Sequence, residues 1–159
     1  MTEPPVELTG PGIVTATSRV HARAPVVFAI LRDPQRHPSI DGTGMLRGSE
    51  DAPIQGVGDT FVMRMHNDEF GDYEMRNHVT EFVEDHAIEW APKRHDVEEE
   101  DWDHRWGWWL EPDGDVTVVT AYFDCSRSPE DAKRILRNGT RWQPDMEASL
   151  GHLAVQVKG

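Results

Sequence analysis

The stretch 140–157 constrains this chain most. At about 100° per residue, Trp142, Met146, Ser149, Leu150, Leu153 and Val157 fall within roughly a quarter of a helix's circumference, while Asp145, His152 and Lys158 point elsewhere. One narrow apolar stripe has to be laid on an apolar surface. The preceding chain is mostly alternating, strand-like sequence, which supplies a sheet. The reading that follows is a sheet curved around a C-terminal helix, with a space between them. Thr140 and Gln143 stand at capping-box spacing, and Pro144 offers Gln143 as the alternative start.

Upstream, residues 1–12 read as a loose polar tail and residues 13–159 as one domain. Residues 13–21 alternate, with Val14, Ala16, Ser18 and Val20 on one side, which predicts a strand. Pro25 is placed to open a helix through Leu31 that ends before Pro34, and a second short helical turn spans 34–40. Glycine and aspartate turn signals then separate strand candidates at 45–49, 59–66, 72–83, 87–91, 103–110 and 116–126. Short connections between them predict antiparallel pairing. Phe61, Met63 and Met65 share one face, and Tyr73, Met75, Asn77 and Val79 another. Phe82 breaks that parity, which predicts a bulge or a strand end. Ser128, Pro129, Glu130 and Asp131 have the pattern of a capped helix start, and Asn138 with Gly139 that of its stop.

A chain of 159 residues is large enough to bury a core without metals or disulfides. Its formal charge of −13 argues against a nucleic-acid or anionic-membrane surface, since phosphate binding needs a basic stripe. Cys125 is the only cysteine, so no intrachain disulfide can form. With no targeting segment or membrane-spanning run in the sequence, the expected compartment is the cytoplasm.

The most chemically suggestive stretch is 102–110, where four tryptophans fall within eight residues. As a strand it puts Trp102, His104, Trp106, Trp108 and Leu110 on one face, and Asp103, Arg105, Gly107 and Trp109 on the other. The first face is the better cavity wall, because wide aromatic surfaces suit flat ligands. An ordinary aromatic core is the competing reading. Trp109, on the opposite face, is expected to mark an exposed patch and a homodimer contact. Met63, Met65, Met75 and Met146 would line an adaptable apolar wall. Phe61, Tyr73, Trp90, Phe123, Trp142 and Leu150 complete the expected ligand-binding set. Asn77 and His104 are the polar candidates for orienting a ligand or assisting proton transfer.

His95, Asp96, Glu98, Glu99, Glu100, Asp101, Asp103 and His104 match no calcium loop or zinc motif and read as a solvated hairpin loop. His21, His37, His66, His78, His86 and His152 are scattered and read mostly as surface groups. No nucleophile elbow or phosphate-cradling glycine loop occurs, and Cys125 reads as a small buried hydrophobe. Neither a cofactor nor a metal is therefore expected.

Taken together, "ARAPVVFAILRDPQRHPSI", "VGDTF", "NHVTEFVEDHAIEW", "GDVTVVTAYFDCSRSPED" and "RWQPDMEASLGHLAVQV" follow one another in an order that resembles the START-like, polyketide cyclase/dehydrase (SRPBCC) superfamily. The resemblance covers residues 13–158 and rests on order and spacing. One departure is Ile40, where many relatives would carry a tryptophan after the "HP" pair. What the resemblance implies is an α+β helix-grip fold. A curved seven-stranded antiparallel sheet would wrap around a long C-terminal helix, with two short helices after the first strand and an apolar cavity inside. Members bind lipids, hormones, polyketides or other aromatic molecules, and only some are enzymes. The leading expectation is a domain that binds a small hydrophobic or aromatic molecule, without nucleic-acid binding or membrane insertion. The alternatives are a polyketide cyclase, aromatase or dehydratase using His104 or Asn77, and an interaction domain with a collapsed cavity.

Overall fold

The computed structural model describes residues 8–94 and 102–158. The chain opens with strand β1 (Ile13–Val20), whose Val14, Ala16 and Val20 turn inward. Helix α1 (Ala24–Leu31) carries Pro25 in its first turn, where a missing N–H costs nothing. A 3₁₀ turn (Pro34–Arg36) and the single-turn helix α2 (His37–Ile40) follow. Six strands come next: β2 (Leu46–Gly48), β3 (Thr60–Asn67), β4 (Gly71–Val83), β5 (Ala87–Arg94), β6 (Arg105–Asp113) and β7 (Val116–Asp124). Helix α3 (Glu130–Ile135), a second 3₁₀ turn (Arg137–Trp142) and the long helix α4 (Gln143–Gln156) close the chain.

All strand pairs are antiparallel, in the order β1-β7-β6-β5-β4-β3-β2, and the sheet curls into a half-barrel. The α+β class, seven strands, short helices after β1 and long C-terminal helix all match the expected architecture. The parity break at Phe82 is a bulge: the β4–β5 register shifts between Val79 and Glu81. That shift returns Phe82 to the inner face, where its ring meets Phe28 edge-on at 5.4 Å.

The helix ends depart from their sequence signals. Ser128 does not cap α3: Pro129 holds the N-cap position, and the buried Ser128 hydroxyl has no partner. The helix stops at Ile135, and Arg137, Asn138 and Gly139 all take positive φ (51°, 54° and 92°), a reversal that glycine tolerates best. Thr140 and Gln143 form no capping box. The Thr140 hydroxyl donates to the Arg137 carbonyl at 2.8 Å, and Gln143 Nε2 donates to the Thr15 carbonyl at 2.8 Å. Long-range anchoring to β1 won over local capping, so α4 starts at Gln143 with Pro144 in its first turn.

Helix α4 packs against β1, β7 and α2, burying Met146, Leu150 and Leu153. Ser149 accepts the Gly42 N–H at 2.9 Å and ties the helix to the residue pair that follows α2. Its cover falls on the β1–β7 side of the concave face, which leaves the β3–β6 side to line open space.

The convex face carries its own buried cluster. Glu89 is 0% exposed and accepts from the Tyr122 hydroxyl at 2.7 Å, the Thr80 hydroxyl at 2.7 Å and Arg105 at 3.4 Å. Tyr122 lies across Gly107, whose missing Cβ would overlap its ring. Burial above all, and then the Glu89 charge, push the Tyr122 hydroxyl pKa far up. Trp109 belongs to this face, but the expected exposed patch is absent. It is 3% exposed, donates to Glu111 at 2.9 Å and packs near His86. The homodimer contact argued from its exposure loses that support. Among the described residues no helix is long and apolar enough to cross a membrane.

Candidate functional site

Between the concave face and the α2–α4 side lies a cavity of about 570 Å³, within the ordinary range for small-molecule pockets. Phe70 in the β3–β4 turn and Ile135 at the end of α3 line it while being 60% and 52% exposed, so they mark its mouth. From there the paired residues of β3 and β4 form successive layers: Met65 with Tyr73, Met63 with Met75, then Phe61 with Asn77. Burial deepens in the same order, from half-covered Tyr73 and Met75 to buried Asn77. These six residues were expected to line the space, and all six do.

At the inner end, rings close on one another. His37 stacks on Trp90 with centroids 5.1 Å apart and planes 17° from parallel. Phe61 meets both edge-on, at 5.4 Å from each. His37 corrects the surface reading: it is 4% exposed and lines the cavity. Its spacing from Ile40 would have found it, because positions i and i+3 of one helical turn share a face and both are buried. The ring shares a 2.7 Å hydrogen bond with the Leu31 carbonyl through Nε2, so that nitrogen carries a proton. Burial lowers the imidazole's pKa below its ordinary value, against the pull of that hydrogen bond and of Asp33 and Asp41. The resting species is therefore neutral, protonated on Nε2.

A second wall comes from Trp102, His104, Trp106 and Trp108, with Trp142 and Met146 from the α4 side. β6 begins only at Arg105, because Asp103 adopts a positive φ of 46° and interrupts the strand. Trp102 and His104 thus reach the wall from irregular backbone. Trp106 and Trp142 do not face each other across open space. Their rings meet edge-to-face with centroids 5.7 Å apart, joining sheet to helix. Two expected lining residues lie behind the surface. Phe123 is buried under Trp106 at 4.6 Å and beside His104 at 5.6 Å, and Leu150 packs into the core.

Charged side chains also line the cavity. Asp41, Asp145 and Arg141 sit on the α2–α4 side, and Glu69, Lys93 and Arg94 near the mouth. Burial, then the nearby Asp41 charge, raise the Asp145 carboxyl, and Arg141 opposes them. The Arg94 guanidinium lies 5.4 Å from the Tyr73 ring and 5.5 Å from Phe70. Of the acidic run, residues 95–101 lie outside the described residues. Cys125 is buried, and that burial raises its thiol pKa, which leaves it a poor nucleophile. The arrangement offers a broad apolar contact area, with His37 and Asn77 at its inner end and charged groups on the α2–α4 side and near the mouth.

No family model matches the chain. It is 36% identical over 118 residues to Uncharacterized protein Rv0088 of Mycobacterium tuberculosis (strain ATCC 25618 / H37Rv), covering 72% of this chain and 48% of that protein. The chain thus spans about half the length of the curated relatives it matches. Among solved structures, protein CV1439 from Chromobacterium violaceum superposes with a TM-score of 0.70 at 15% identity, over 93% of this chain and 98% of that one. DynU16, a protein in the dynemicin biosynthetic locus, superposes with a TM-score of 0.60 at 19% identity, over 94% of this chain and 48% of that one. Likeness at such identities speaks for architecture, and with the curled antiparallel half-barrel it fits a helix-grip-like fold.

Proposed function

We propose that this chain is a START-like domain that binds a small hydrophobic or aromatic molecule between its sheet and its C-terminal helix. One observation carries the reading: a cavity of about 570 Å³ whose lining is mostly apolar, with tryptophan, phenylalanine and methionine prominent in it. Apolar burial supplies affinity at about 25 cal/mol per Å² before the costs of association, and ring faces favour flat ligands. Methionines at 63, 65, 75 and 146 let the wall adapt to the guest's outline. The test is a titration with 2-naphthol, 2-methoxynaphthalene and 2-methylnaphthalene, each followed by tryptophan fluorescence and by melting. Saturable quenching by any of them, with a melting temperature that rises with ligand, supports the reading, and no change in either signal with all three refutes it.

A second reading, cyclase or dehydratase chemistry on a bound poly-keto substrate, is favoured by Asn77 and His104 lining the same cavity. Under it, a poly-β-keto thioester is converted, and His104→Ala lowers turnover more than it weakens binding. Binding without turnover leaves the carrier reading standing.

A further inference from the structure

Two buried side chains at the cavity's inner end both present hydrogen-bond acceptors. Asn77 is 5% exposed, and its Nδ2 amide donates to the Phe61 carbonyl at 3.4 Å and the Met75 carbonyl at 3.3 Å. Because both partners are carbonyls, the nitrogen must face them, which turns Oδ1 the other way. No described residue donates to that oxygen. His37 has spent its only N–H on the Leu31 carbonyl and is held neutral by burial, so Nδ1 keeps a lone pair. No described residue donates to it either. Both side chains adjoin Phe61: Asn77 bonds its backbone carbonyl, and His37 packs on its ring at 5.4 Å. Both side chains are buried and line the cavity, and an acceptor there is matched only by a donor. The Trp142 indole N–H is unpartnered too, but protein atoms enclose it.

We infer that the cavity selects a hydroxylated guest, a phenol or an alcohol on an apolar ring system, which enters hydroxyl first and donates to His37 Nδ1 or Asn77 Oδ1. This rests on the ligand-binding reading above and deepens it. A guest whose inner end carries only a ketone or ether oxygen would oppose acceptor to acceptor. The Trp90 and Phe61 rings that pack beside His37 give the flat end of an aromatic alcohol an apolar surface to rest on.

Three probes of matched shape test it: 2-naphthol, 2-methoxynaphthalene and 2-methylnaphthalene, titrated against the wild type, His37→Phe and Asn77→Leu. The expected result is that 2-naphthol binds the wild type at least about tenfold more tightly than either analogue, with most of that preference lost in one or both variants. Equal affinity for all three overturns the hydroxyl selection while leaving cavity binding intact. A preference that survives both substitutions overturns the assignment to these residues. Absence of binding by every probe defeats the cavity reading itself. Should the variants not fold, the ¹⁵N resonance of His37 Nδ1 and the Asn77 side-chain amide resonances in the wild type decide. One or the other moves when 2-naphthol binds and stays when the ether binds, and indifference of both side chains to 2-naphthol refutes the proposal.

Discussion

Tyr122 and Gly107 show how one missing Cβ organises a sheet face. The ring crosses the glycine to reach a fully buried carboxylate. Tyr122→Phe removes a charge-assisted hydrogen bond and leaves Glu89 under-satisfied, so urea unfolding should show a loss of about 1.5–3 kcal/mol. Gly107→Ala displaces the ring as well and should cost at least as much, about 1–3 kcal/mol from overpacking alone. A variant of either kind with an unchanged denaturation midpoint would contradict the cluster's role. His37 makes a prediction of opposite chemistry. Its folded pKa is lowered, so below about pH 6.5 the unfolded chain takes up a proton that the fold resists. Protons then favour unfolding, and His37 costs stability as pH falls through that window. The stability advantage of the wild type over His37→Phe should therefore narrow between about pH 7 and pH 5; a constant gap would place His37 in ordinary solvent.

At the scale of elements, inward residues on β3, β4 and β6 could be read from alternation, because a strand's period of two leaves little choice once one face is apolar. Helix ends could not. Gln143 bonds a carbonyl of β1 because a tertiary partner decides among locally equivalent caps, and Ser128 caps nothing. Trp109 illustrates the other gap. Alternation identifies the face it occupies, but not that the convex face holds a packed cluster of its own. Phe123 faces inward as its parity requires, yet Trp106 lies over it, and occlusion of one ring by another has no signature in spacing. His37 was legible in principle from its i, i+3 relation to Ile40, and a polar residue in a short helical turn hid the signal. Helix α4 separates packing from lining. Leu153→Ala, in the packed seam, should cost about 2–5 kcal/mol in chemical denaturation while leaving probe affinity nearly unchanged. Equal losses in both would mean that seam and cavity are one site.

For the whole molecule, the cavity follows from where the terminal helix lies. It covers β1 and β7, meets α2, and leaves the middle strands facing each other's side chains across unfilled volume. The aromatic end is closed by α2 and Trp90, and the opposite end opens between Phe70 and Ile135. A guest that enters there ought to be stabilising, because it binds the folded chain alone. The most direct measurement is a calorimetric titration of 2-naphthol into the wild type and into Met75→Trp, which sets an indole in the unfilled volume. The account predicts one saturable site per chain in the wild type, and at least about tenfold weaker binding in a variant that still melts cooperatively. Binding that is absent from the wild type, or unaltered by the indole, would contradict it.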